Sequence, residues 1–347
     1  MQRRIQEDGR LVQRLLMVVP KEFFMFRISP LAGFCCILLV LLPDQCLADR
    51  FGSGENAFEI PFVTIGDAGN APDTTGDPNP AGAVPYEYRI GKYEIPEEAI
   101  RKANALSNAA GDPLAITLDD RGPQKPATRV SWFEAARFVN WLNEDKGATP
   151  AYKFDAGGDF QLWDPGDVGY DSDNRFRNTG ALYFLPSADE WYKAAFYDPV
   201  EDTYWDFATG SDDEPIPVAS GTIQGTAIWN PVDAPVGDQP ADVRLAGGSS
   251  VYLTIGQSGN VLEWEETERA LINNDPLALR GARGGDYLLT ITALNLSSEF
   301  RNFSLPVNNP SNVGFRIASA IPEPRTLSHA VVGVAALVLR GAYRRQR

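Results

Sequence analysis

Glycine and proline punctuate this chain so densely, with 31 of the first and 26 of the second, that much of it must be turn and loop. That pattern argues against a helical bundle. It favours an irregular mixed fold rich in turns and loops. Apolar residues make up 44% of the chain, and with seven Trp and 18 Phe they suffice for an aromatic-rich core.

The cysteine and histidine inventory bounds the chemistry. Cys35, Cys36 and Cys46 all precede residue 49, and the single histidine, His329, lies near the other end. If both ends are processing segments, residues 49–320 contain neither residue type. Zinc sites, cysteine nucleophiles and histidine-based triads are then excluded from the mature domain. The same span carries 20 Lys and Arg against 41 Asp and Glu, a net charge of −21. A field of that sign repels nucleic acid and anionic surfaces and attracts divalent cations.

Residues 1–48 read as a secretory signal peptide. Leu31 to Leu42 is an apolar run preceded by Lys21 and Arg27, and Cys46-Leu47-Ala48 forms a small-x-small cleavage site ending at Ala48. Met25 offers a second, more compact start. The run is too short for an ordinary membrane span. Residues 321–347 hold Pro322-Glu323-Pro324, an apolar run from Leu327 to Leu339, and a basic end of Arg340, Arg344, Arg345 and Arg347. In that order the three parts resemble the PEP-CTERM sorting tail of Gram-negative bacteria. The resemblance implies transient membrane anchoring through the tail, an exosortase as processing partner acting near Pro322, Glu323 and Pro324, and a final location at the cell surface or outside the cell.

Between these ends the sequence predicts one domain, residues 49–320. Phe58 to Ile65 and Tyr86 to Tyr93 alternate like strands. Pro96-Glu97-Glu98 opens a helix through Leu106, with proline in the first turn and acids at the positive end of the dipole. Ser131-Trp-Phe-Glu134 and Ser187-Ala-Asp-Glu190 are capping-box patterns that start helices running to about Asn143 and Tyr197. Tyr152–Phe154 and Phe160–Trp163 suggest a hairpin. The acidic run Asp164 to Asp173 reads as a solvated loop, since Phe176 and Leu182 stand where a calcium-binding EF-hand needs Gly and Glu. Arg280, Arg283 and Arg316, set among glycines and aromatics, read as stacking or buried ion-pair groups.

Gly256 to Trp264 is the stretch with most local chemistry. Gly259 and Asn260 tolerate a left-handed turn, Val261 and Leu262 favour a strand, and Glu263 supplies a hard anionic oxygen. Two readings stand on this local basis: a calcium loop, or a turn leading into a half-buried strand whose glutamate is solvated.

Six motifs in order then carry a family resemblance. They are Tyr88-Arg-Ile-Gly-Lys-Tyr-Glu94, Val130-Ser-Trp132 with Trp141-Leu142, Phe184-Leu-Pro-Ser-Ala-Asp-Glu-Trp191, Gly259-Asn-Val-Leu-Glu-Trp264, Arg283-Gly-Gly285 and Gly314-Phe-Arg316. Residues 58–319 resemble the formylglycine-generating-enzyme, or sulfatase-modifying factor, domain family. This implies an irregular α+β fold related to C-type lectin domains and a bound Ca2+, with the backbone oxygens of Gly259 and Val261 and the Glu263 carboxylate as its metal ligands. Gly256 stands where a side-chain oxygen ligand is usual.

Active members of that family carry a pair of cysteines shortly after the Arg-Gly-Gly motif, which bind copper and engage the substrate thiol. Leu288 to Phe303 contains no cysteine. Cu(I) selects thiolates, so no copper is expected, and without histidine no haem or histidine-ligated iron. The expectation is a calcium-stabilised binding or structural module with a glycan or exopolysaccharide partner and no nucleic acid. The alternatives are an active modifying oxidase with unrecognised ligands, or a glycan-active enzyme using two carboxylates. The surroundings of Gly285 to Arg301 discriminate: a polar pocket there favours a ligand, and a hollow filled by Leu288, Leu289 and Leu294 favours a scaffold.

Overall fold

The computed structural model describes residues 47–230 and 239–321. The two apolar end runs, Cys46, Pro322, Glu323 and Pro324 lie outside the described residues. Ala48 lies within them. Among the described residues no helix is long and apolar enough to cross a membrane.

Strands β1 (Leu47–Phe51), β2 (Phe58–Ile65) and β3 (Tyr88–Gly91) lead to helices α1 (Glu97–Ala110) and α2 (Trp132–Asp145). A hairpin of β4 (Lys153–Phe154) and β5 (Phe160–Gln161) precedes β6 (Tyr183–Phe184) and α3 (Ala188–Phe196). The short strands β7 (Tyr197–Asp198), β8 (Thr203–Tyr204), β9 (Ile216–Pro217) and β10 (Thr226–Ala227) follow. The chain then forms β11 (Leu262–Glu268), β12 (Arg280–Arg283), β13 (Asn302–Ser304), β14 (Val313–Gly314) and β15 (Ala318–Ala320). The expected α+β fold class is the one observed, with little regular secondary structure.

Two sheets organise the molecule. The first is antiparallel in the order β1-β2-β3-β15-β6, so the last described strand sits between β3 and β6. Ala48 in β1 faces Pro61 across that sheet. Strand β2 shows why the alternation read from sequence works: Phe58, Ile60, Phe62 and Ile65 are buried while Glu59 and Thr64 are exposed. The second sheet runs β13-β12-β11-β14, with β14 parallel to β11 and the other pairs antiparallel.

Both capping boxes form. In α2, Ser131 Oγ accepts from the Glu134 amide at 3.2 Å, and the Glu134 carboxylate accepts from the Ser131 amide at 2.8 Å. In α3, Ser187 and Glu190 exchange the same two bonds. The α2 box directs Trp132, Ala135, Phe138, Val139 and Leu142 into the main core. Helix α1 runs one turn beyond Leu106, because Gly111 at φ 84° closes it in the left-handed conformation, donating its amide to Ser107 and Asn108. Arg280 lies in the aromatic core, 4.6 Å from the Trp132 ring centre and 4.1 Å from that of Phe176. Burial pulls its pKa down to about 10, although Glu268 and Asp275 pull the other way.

Candidate functional site

Strand β11 is buried at every position, although its sequence Leu-Glu-Trp-Glu-Glu-Thr-Glu is mostly polar. Four buried glutamates need partners, since an uncompensated buried charge costs several kcal/mol or more. Arginines supply three of them. Glu263 pairs with Arg316 at 2.5 Å, Glu265 with Arg283 at 2.7 Å and Arg301 at 2.8 Å, and Glu266 with Arg177 at 2.8 Å. Glu268 accepts from the Asp275 amide at 3.1 Å. A register shift between Trp264 and Glu268 breaks the simple alternation. Glu265 therefore reaches the arginines of the β12 side while its neighbour Glu266 meets Arg177, the Tyr152 hydroxyl and Asn174.

The turn before β11 has the predicted geometry. Gly259 and Asn260 sit at φ 89° and 61°, and a Cβ at Gly259 would lie 2.3 Å from the Ile228 carbonyl oxygen. Gly259 and Val261 lie in the approach to β11 and Glu263 within it, and protein donors meet the Glu263 carboxylate. Arg316 Nη2 donates to Glu263 Oε1 at 2.5 Å, while Arg316 Nε, at 2.5 Å, and Trp191 Nε1, at 2.7 Å, donate to Oε2. Glu263 is fully buried, so the solvated-turn reading fails as well. A calcium ion on this carboxylate would compete with a fixed guanidinium already in its place, and the residues do not fit a Ca2+ bound through Glu263. Among the described residues no group of three or more His, Cys, Asp or Glu is placed to hold a metal.

Glu94 completes this cluster. Its two oxygens each lie 3.0 Å from Asn260 Nδ2, and it also accepts from the Val261 amide. Burial first, and the neighbouring Glu263 charge second, push its carboxyl well above the usual range, against the pull of Arg316 and Asn260.

The segment after Gly285 does not form the leucine-filled hollow that sequence offered as one outcome. Asp286 Oδ1 accepts the amides of Leu288 at 2.8 Å and Leu289 at 2.6 Å, and its own amide donates to Thr290 Oγ1. This turn leaves Leu289 67% and Leu294 56% exposed, while Leu296 packs inside against Gly285. No thiol or imidazole is present to meet copper or iron here.

A concavity of about 760 Å³ lies elsewhere, beside the first turn of α3. Arg177 stands in its wall, pinned by Glu190 (2.8 Å) and Glu266, with its guanidinium carbon 3.8 Å from the centre of the Phe184 ring. Burial would raise the Glu190 carboxyl; Arg177 reverses that and holds it below its ordinary range. Tyr86, nearly half exposed, donates its hydroxyl to Glu190 at 2.7 Å. Glu87, Asp171, Asp173 and Asp189 also line the space. Sequence reasoning missed this cleft. It saw Glu190 only as a cap and Asp171 to Asp173 only as loop, and no local spacing connects them to Arg177.

An irregular α+β body with an acid-bearing strand locked by arginines defines a domain of the formylglycine-generating-enzyme-like class, related to C-type lectin domains. Residues 77–321 match the family described as sulfatase-modifying factor enzyme 1-like domain, and the chain belongs to that family. Among solved structures it is similar to Treponema denticola variable protein 1, with a TM-score of 0.54, 20% identity, and coverage of 79% of this chain and 99% of that one. It is also similar to CarF, with a TM-score of 0.54 and 19% identity over 76% of this chain and 98% of that one. At such identities the likeness is one of fold. A search of curated proteins gives no match.

Proposed function

We propose that this domain is an exported binding module that takes a glycan in the cleft beside Arg177, and that it does not oxidise substrate cysteines. The cleft carries the reading: about 760 Å³, with an accessible Tyr86 ring, an apolar wall at Phe184 and Ala188, and several carboxylate acceptors. Such a surface offers stacking to a sugar ring and acceptors to its hydroxyls. The tail resembling PEP-CTERM signals supports export, exosortase processing and a site of action at the cell surface or in extracellular matrix. Thiol oxidation by copper needs soft ligands, and residues 288–303 supply none.

A glycan array probed with the full-length protein tests this reading, together with an assay of copper-loaded protein on a cysteine peptide. Glycan binding without formylglycine formation is the expected result, and copper-dependent aldehyde formation overturns it. One observation favours a second reading, a glycan hydrolase. Asp189 lines the cleft, and burial raises its carboxyl above its ordinary value, the direction a general acid needs, although the Gly82 amide lowers it. Release of reducing ends from a bound glycan, lost in Asp189→Asn, would establish it.

A further inference from the structure

The ionic character of the cleft deepens the glycan reading, on which this inference rests. Among the described residues lining the space, Arg177 is the one basic side chain, and two carboxylates behind it already neutralise it. Four acids face the same space: Glu87, Asp171, Asp173 and Asp189. None of the four has an ion-pair partner among the described residues. Asp189 spends one oxygen on the Gly82 amide at 2.8 Å, and Asp171 spends one on the Asp173 amide at 2.9 Å. Among the described residues no protein donor meets their second oxygens, and Phe184, Leu271 and Ile321 add apolar surface to the same lining.

We propose that the cleft selects an amine-bearing glycan, a chain containing free glucosamine-type units, over its neutral or N-acetylated counterpart. A protonated amine on a pyranose ring satisfies both halves of this surface. The ammonium donates to the spare carboxylate oxygens, and the ring's apolar face covers Tyr86 and the hydrophobic wall. A sulfated or uronic-acid glycan meets four uncompensated negative charges and is rejected. A volume of about 760 Å³ accommodates several sugar rings, so an oligomer rather than a single sugar is the fitting ligand.

Calorimetric titration of the full-length protein at pH 6 with a β-1,4-linked glucosamine tetramer, its fully N-acetylated form and tetralysine tests this. The amino tetramer is expected to bind at least roughly tenfold tighter than the acetylated one, a difference of about 1.4 kcal/mol. Raising the pH through the amine's own titration should abolish that preference. Glu87→Gln, at an exposed side chain, and Asp171→Asn should each weaken the amino tetramer several-fold, and Glu214→Gln, an exposed acid outside the cleft, should not. Equal affinity for the two tetramers overturns the charge selection while leaving the glycan reading intact. Tighter binding of tetralysine overturns the choice of a glycan as the cation's carrier. Equal weakening by Glu214→Gln reduces the effect to net charge and also overturns the proposal.

Discussion

Arg316 meets Glu263 side-on, with Nε and Nη2 each 2.5 Å from a different carboxylate oxygen and both side chains fully excluded from water. The guanidinium also donates to the Gly91 carbonyl at 2.9 Å and the Ile255 carbonyl at 3.0 Å, so one residue ties β11 to the end of β3 and to the loop before the turn. Removing one partner strands the other charge in the core. Arg316→Met and Glu263→Gln are each expected to lose about 3–5 kcal/mol in urea unfolding, and the double variant less than the sum. The wild type should melt identically with and without EGTA. A chelator-induced fall in melting temperature that Glu263→Gln abolishes would restore calcium to this carboxylate.

Glu94 gives the domain a pH dependence of opposite sign to ordinary acid denaturation. Its folded carboxyl titrates well above its unfolded value, mainly through burial and then through Glu263. The folded state therefore binds this proton more tightly than the unfolded one. Its contribution is fully present below about pH 4.5 and is lost as pH rises through the raised folded value. Glu94→Gln removes the titration, so its stability relative to wild type should improve with rising pH across that window. Unfolding free energies measured at half-unit steps from pH 4.5 to 9 would show it. A difference that stays flat with pH would mean that Glu94 is ionised in the fold.

Much of the scaffold was legible because its signals are local. The alternation of Phe58 to Ile65 became β2 with the same ends, and Ser131 and Ser187 capped the helices whose first turns they announce. Arg283 and Arg316 are buried ion-pair groups, as glycine-rich, aromatic surroundings suggested. What local reading did not reach lies where partners are distant in sequence. Glu263 was read beside its neighbours Gly259 and Val261, yet its charge is met 53 residues away by Arg316. Arg177 gave no signal at all, because its carboxylates come from Glu190 at a helix start and Glu266 on β11, 13 and 89 residues away. The cleft is a product of that tertiary ion pairing rather than of any local pattern.

Gly281 makes one of these pairs sterically feasible. A Cβ there would lie 2.0 Å from Glu265 Oε2 and 2.7 Å from the Arg301 guanidinium, so even a methyl group forces apart two buried, mutually paired side chains. Gly281→Ala should cost about 2–4 kcal/mol, comparable to loss of the pair itself. Gly166→Ala, in open space, should change stability by less than roughly 0.5 kcal/mol. Similar chemical-denaturation midpoints for the two variants would show that β12 yields without strain.

Arg177 links the cleft wall to the core, and its removal should be felt as stability before it is felt as binding. Arg177→Met leaves Glu190 and Glu266 buried without their cation, an expected loss of about 3–5 kcal/mol at pH 7. The sign with pH follows from Glu190. Burial alone would raise its carboxyl, but Arg177 outweighs burial and lowers it. A depressed folded value contributes stability above the unfolded value near 4.5, and that stability is lost as pH falls through the folded one. The gap between wild type and Arg177→Met should therefore be widest at neutral pH and narrow below about pH 4.5 as wild type gives up the same interaction. Paired urea titrations at pH 7 and pH 3.5 measure it, and a gap of equal size at both would mean that Arg177 holds the wall by packing on Phe184 rather than by charge.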